Sequence, residues 1–196
     1  MRPLIILLLA LVTAAAQPTS VSSDLKGKLV GIKNKFIQPI DPVSVTQAKY
    51  IVFYFGARWC GPCHKFTPDL VSFYREMKSK YPFEVIFVSQ DHTPAEMQNY
   101  MNEMSMPWPA LRWDAVKYSQ ASRLAGPGIP SLVVVNSQGE VVSNSFDGQN
   151  NYLGPHKVLN DLRKLLIEDE TSPSMAAAVS PSPPRSDWDK FFKKKP

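Results

Sequence analysis

Cys60 and Cys63 are the only cysteines of this 196-residue chain, and Gly61 and Pro62 separate them. Two thiols are too few to staple a domain or to complete a four-thiolate zinc site, so whatever they do they do as a pair. One helical turn apart, they suit dithiol–disulfide exchange. The first attacks a disulfide as its thiolate, and the second then displaces the mixed disulfide. That requires the first thiol to ionise more readily than free cysteine, whose pKa is about 8.5. The start of a helix supplies the means, because its unpaired N–H groups and the positive end of its dipole stabilise an anion. Gly61 permits the tight turn, and Pro62 sets φ where no N–H donor is needed.

The same stretch admits two other chemistries. Cys60-Gly61-Pro62-Cys63-His64 satisfies C-x-x-C-H, the attachment signature of c-type haem, with His64 as the axial ligand. A structural disulfide without redox turnover is the other, although so small a loop removes little chain entropy. No metal site and no cofactor are expected, since His92 and His156 have no ligand spacing to each other. Walker, G-x-S-x-G and G-x-G-x-x-G motifs are absent from the sequence.

The cysteines need a scaffold, and the flanking pattern describes one. Tyr50 to Gly56 is an unbroken β-branched and aromatic run, the mark of a strand covered on both faces. Phe66, Leu70, Phe73, Tyr74 and Met77 follow at helical spacing, with Pro68 predicting a kink near the helix start. A second strand is predicted over Phe83 to Ser89. Thr93 or Asp91 then caps a helix that buries Met97, Tyr100, Met101 and Met104. A short helix about Val116 to Leu124 comes next, then a hairpin of Ser131 to Val135 and Glu140 to Phe146, and a last helix from Pro155. Leu29 to Phe36 supplies an additional edge strand. Strand–helix alternation of this kind builds parallel strands through right-handed crossovers. The fold class is therefore α/β, a central mixed sheet flanked by helices in one domain. Trp108 and Trp113 are assigned to packing.

On these residues the chain resembles the thioredoxin superfamily, and its tryparedoxin and nucleoredoxin branch in particular. The resemblance rests on Phe53-Tyr-Phe-Gly-Ala-Arg-Trp-Cys-Gly-Pro-Cys63, Phe66-Thr-Pro68, Phe83 to Ser89, Met106-Pro-Trp108 and Gly128-Ile-Pro-Ser131. It implies that Cys60 and Cys63 form a redox-active disulfide, with Cys60 attacking and Cys63 resolving. Trp59, Gly61, Pro62, Ile129 and Pro130 position the substrate, and the Ile129–Pro130 bond is cis. Two departures stand out. Tyr54 occupies the place, six before Cys60, where thioredoxins carry a buried acid that deprotonates the second cysteine, which leaves water, Glu84 or Asp91 as acceptor. Gly61-Pro62 replaces the Pro-Pro more usual in the branch.

The ends of the chain read differently from the middle. Arg2, the apolar run Leu4 to Val12, and Ala14 and Ala16 before Gln17 form a secretory signal-peptide pattern. A helix over Leu4 to Ala16 reaches only roughly 20 Å, short of a hydrocarbon core about 30 Å thick. Export, to a periplasm or outside the cell, is the expectation. Of the 18 prolines, five fall beyond Thr171, in a Pro/Ser-rich stretch ending in Trp188, Phe191, Phe192 and Lys193 to Lys195. Such an end suits weak docking on a membrane surface or a protein. The net charge of +5 is largely this tail, since Gln17 to Glu170 holds 16 basic against 15 acidic residues. A nucleic-acid partner is accordingly not expected.

The predicted organisation is a signal peptide over 1–16, a linker over 17–24, a thioredoxin-like domain over 25–168 and a disordered tail over 169–196. The predicted activity is that of an exported, monomeric thiol-disulfide oxidoreductase, classed with the protein-disulfide reductases and working as reductase, oxidant or isomerase according to its potential. It acts on protein or small-molecule disulfides and dithiols and is reset by a redox partner yet to be identified. The alternative is a thioredoxin-fold binding module with a non-catalytic disulfide.

Overall fold

A computed structural model describes residues 21–171. The expected signal peptide and most of the expected tail lie outside the described residues. Among the described residues no helix is long and apolar enough to cross a membrane.

The sheet grows outward from β3. The elements, in chain order, are α1 (Val21–Leu25), β1 (Leu29–Lys33), β2 (Phe36–Pro39), α2 (Val43–Thr46), β3 (Tyr50–Gly56), α3 (Gly61–Met77), β4 (Phe83–Ser89) and α4 (Pro94–Glu103). These are followed by β5 (Ala110–Leu111), two 3₁₀ turns, β6 (Ser131–Asn136), β7 (Val141–Asn144) and α5 (Pro155–Thr171). Seven strands lie side by side in the order β2-β1-β5-β4-β3-β6-β7. β3 runs parallel to β4 and antiparallel to β6, so the sheet is mixed, with Gly56 level with Ser89 and Phe55 opposite Ser131. Period-two alternation divides β3 between two cores. Tyr50, Val52 and Tyr54 pack with α3, α4 and α5, whereas Ile51, Phe53 and Phe55 pack with α1, α2 and the 3₁₀ segment. Both faces of β3 are thus covered, which is why its sequence shows no polar alternation.

Several local expectations are refined. Leu29 to Phe36 is not one strand: the chain reverses at Asn34 and Lys35, both at positive φ, and Lys33 pairs with Phe36. Two positive-φ residues make the hairpin turn whose twist matches that of the strands. The short helix about Val116 to Leu124 is instead two 3₁₀ segments, Trp113–Tyr118 and Gln120–Leu124. Thr93, rather than Asp91, caps α4, in a reciprocal capping box with Glu96. α3 runs unbroken from Gly61 to Met77 with Pro68 inside it. The stretch expected as linker, 17–24, holds the first four residues of α1, and Leu25, the first residue of the expected domain, closes that helix fully buried. Residues 169–171, expected in the tail, are the last turn of α5. Asp169 anchors that turn by accepting from the Tyr50 hydroxyl at 2.8 Å and pairing with Lys49 at 2.7 Å.

Candidate active site

The cysteines occupy the end of the sheet to which β3 and β4 point. β3 stops at Gly56, and its extension is held by the extension of β4. Gln90 N–H donates to Gly56 O at 2.9 Å, Arg58 N–H to the Asp91 carboxylate at 2.7 Å, and the Trp59 indole to Gln90 O at 3.3 Å. With the chain pinned there, Cys60 falls at the N-cap of α3 in an extended conformation (φ −85°, ψ 103°). Its Sγ accepts the Cys63 N–H at 3.1 Å. This is the orphan N–H of a helix start aimed at sulfur, the geometry that favours a thiolate.

Cys60 and Cys63 are joined as a disulfide, with Cα atoms 5.2 Å apart. Cys63 is fully buried and Cys60 nearly so, at 4% exposed, while the neighbouring Trp59, Gly61 and Pro62 are exposed. Exchange chemistry needs the attacking sulfur to meet substrate, and the exposed residues on either side of Cys60 leave the approach to it open. Across the gap, the Ile129–Pro130 bond is cis and Ile129 O lies 3.7 Å from Cys60 Sγ. Trp59, Gly61 and Pro62 adjoin the pair in the chain, and the fold brings Ile129 and Pro130 to it from about seventy residues away.

The candidates for the proton of Cys63 separate by position. Glu84 pairs in register with Ile51. That is five residues before Gly56, and at about 3.3 Å per residue it places Glu84 roughly 16 Å from the cysteine end of the sheet. Its carboxylate accepts from the Tyr74 hydroxyl at 2.8 Å and pairs with Lys78 at 3.1 Å, so Glu84 is structural. Asp91 is at the correct end, but its two oxygens accept from Arg58 N–H and, at 2.7 Å, from the Ser89 hydroxyl. Burial holds its carboxyl above the usual carboxylate range. Its evident work is to hold the Arg58–Trp59 turn ahead of Cys60.

Tyr54 carries no base. Its hydroxyl lies 2.7 Å from that of Thr67 and 3.2 Å from that of Tyr100, and Thr67 and Tyr100 are 2.7 Å apart. Thr67 donates to Cys63 O at 2.7 Å, so it accepts from both phenols. Burial raises both tyrosines, Tyr54 well above 10. A neutral hydroxyl cluster therefore stands where a carboxylate would.

Trp108 is core, packed edge-on against Tyr54 and Tyr74. Trp113, partly exposed, donates to Asp91 O at 2.9 Å. His64 has its Nε2 2.6 Å from Arg58 O and its ring against Tyr100. Trp59 stacks on His92 with ring centroids 5.8 Å apart, beside a groove of about 280 Å³ lined by Arg58, Trp59, His64, Glu96 and Glu103. Arg58 makes a bidentate bridge to Glu103, which holds the Glu103 carboxyl below its ordinary value. Among the described residues no group of three or more His, Cys, Asp or Glu could hold a metal ion. Sequence reasoning missed the Arg58–Glu103 bridge and the contacts of Tyr152, because they join segments with no common motif.

A family profile described as thioredoxin-like matches residues 47–141. Mouse nucleoredoxin is 38% identical over 121 residues, covering 60% of this chain and 26% of the relative. Probable nucleoredoxin 1 of Arabidopsis thaliana is 40% identical over 102 residues, 51% of this chain and 17% of the relative. The chain thus spans about a quarter or less of the length of these relatives. Among solved structures, tryparedoxin II from C. fasciculata is 31% identical, with a TM-score of 0.51 and 62% of this chain and 82% of that one covered. Tryparedoxin I from Leishmania major is 29% identical, with a TM-score of 0.51 over 64% of this chain and 85% of that one.

Proposed function

Because the chain belongs to the thioredoxin-like family, in its tryparedoxin and nucleoredoxin branch, we propose that it is an exported thiol-disulfide oxidoreductase acting on protein or small-molecule disulfides. The observation that carries this reading is the place of Cys60 at the N-cap of α3, with Cys63 N–H on its sulfur.

In the reductive direction the Cys60 thiolate attacks one sulfur of a substrate disulfide. A mixed disulfide forms, and the other substrate sulfur leaves as a thiolate and takes up a proton. Cys63 then gives up its proton and attacks Cys60 Sγ, releasing the second substrate thiol. The protein ends as its disulfide and the substrate as a dithiol; an external dithiol donor resets the pair. The Ile129–Pro130 loop lies beside Cys60, where an extended substrate segment is to be held. Whether turnover runs as reduction, oxidation or isomerisation follows from the pair's potential, which equilibration with glutathione measures.

Dithiothreitol-driven reduction of insulin disulfides tests the reading. The wild type accelerates it and Cys60→Ser does not; equal rates in the two would sink the proposal. Export rests on Arg2, the Leu4 to Val12 run and the Ala14-x-Ala16 site. Amino-terminal sequencing of protein from an exporting host should begin at Gln17, and recovery of the full-length chain inside the cell overturns that part.

A further inference from the structure

The loop that faces Cys60 is held by residues outside the C-x-x-C region. Beyond β7 the chain makes a tight excursion through 145–154 and returns on itself. Asp147 accepts from the N–H groups of Gln149 and Asn151, Leu153 N–H donates to Ser145 O, and Phe146 bridges to Tyr152. The two rings meet at 5.1 Å. From this platform the Tyr152 hydroxyl donates to Pro130 O at 2.7 Å. Phe146 meanwhile closes on the start of the same loop. A Cβ at Gly126 would clash with the edge of the Phe146 ring, and one at Gly128 would touch it at 3.7 Å. The loop from Gly126 to Pro130 is thus held at both ends, while Ile129 O between them lies 3.7 Å from Cys60 Sγ.

Building on the redox reading above, we propose that Tyr152, seated on Phe146, is a positioning residue. By holding Pro130 O it sets the place of Ile129 O against Cys60 Sγ, and with it the slot into which a substrate segment fits. Tyr152 reaches the reacting sulfur only through the loop. Its ring is about half exposed (52%), so removal of the hydroxyl alone leaves the core intact.

The test compares Tyr152→Phe with the wild type in two measurements. In insulin reduction the variant raises KM roughly two- to tenfold, the factor that loss of one hydrogen bond gives, with kcat little changed. In a Cys63→Ser background, the pH dependence of iodoacetamide alkylation reports Cys60 alone. Its midpoint falls in Tyr152→Phe, because a displaced Ile129 carbonyl no longer favours the thiol by accepting its S–H or repels the thiolate. Phe146→Leu moves the midpoint in the same direction. Thermal unfolding of Tyr152→Phe falls by no more than the few degrees that loss of one hydrogen bond gives, so the variant is folded in both assays. An unchanged alkylation midpoint overturns the proposal whatever KM does. If the wild type reduces no insulin, the reductase reading fails, and the midpoint still decides the role of Tyr152.

Discussion

The phenol of Tyr54 lies over Gly56, two residues on along β3. A Cβ built on Gly56 would approach Tyr54 Cζ and its hydroxyl oxygen at 2.8 Å. The absence of a side chain at Gly56 is what lets Tyr54 reach Thr67, one turn beyond Cys63. A glycine in mid-sheet ordinarily weakens a strand, and here it makes room for the hydroxyl cluster beneath the disulfide.

Gly56→Ala is therefore expected to cost about 1–3 kcal/mol, the range for overpacking a filled core. In a Tyr54→Leu background the same change should cost far less, because the obstructing ring is gone. Guanidinium unfolding of the four proteins measures the coupling. Equal costs in both backgrounds would show that the two side chains do not compete for space.

Tyr54→Phe removes one hydroxyl from the cluster and should destabilise the fold by about 0.5–1.5 kcal/mol. Burial has raised that phenol far above neutrality, so it exchanges no proton with Cys63. The pH profile of the single-turnover resolving step, followed by release of a dye-labelled mixed-disulfide substrate, should coincide with that of the wild type. A profile displaced by a full unit would make Tyr54 a participant.

Lys78→Met strands Glu84, which is 1% exposed, and should cost about 3 kcal/mol. The double change Lys78→Met with Glu84→Leu should recover part of that loss, since no charge is then left buried. Urea unfolding checks both. Were Glu84 the proton acceptor for Cys63, Glu84→Gln would slow resolution, whereas its place far down β4 predicts an unchanged rate.

Asp91 links stability to pH with a sign that follows from burial. Its pKa is raised above the ordinary 3.8 in the folded protein, so the folded state binds the proton more tightly than the unfolded chain does. The associated stability is fully present below the ordinary value and declines as pH rises through the raised one. Denaturant unfolding from pH 3 to 7 should show a descending step in the wild type that is missing in Asp91→Asn. A step identical in both would assign it to another group.

Much of this protein was legible in its residues alone. The continuous apolar run of β3, the helical stripe of α3 and the Cys60-Gly-Pro-Cys63 junction between them specify a buried strand feeding a helix whose first N–H groups face sulfur. That follows from local rules of periodicity and capping, which act within a few residues. The hairpin at Asn34-Lys35 is harder to read, because neither residue is the glycine such turns favour, and the apolar residues on either side let Leu29 to Phe36 pass for one strand.

What only the tertiary structure decided is which distant groups meet the cysteines. Glu84 and Asp91 looked equivalent as proton acceptors, but strand register sends one toward the far end of the sheet and sets the other under the Arg58–Trp59 turn. Tyr152, twenty-two residues from Pro130, has no motif that points to it, and only the return of the 145–154 excursion brings its hydroxyl to the loop carbonyl. Sequence dictates contacts between near neighbours through backbone geometry. Contacts across the sheet depend on register and on how loops close, and these are settled jointly by the packing of the whole chain.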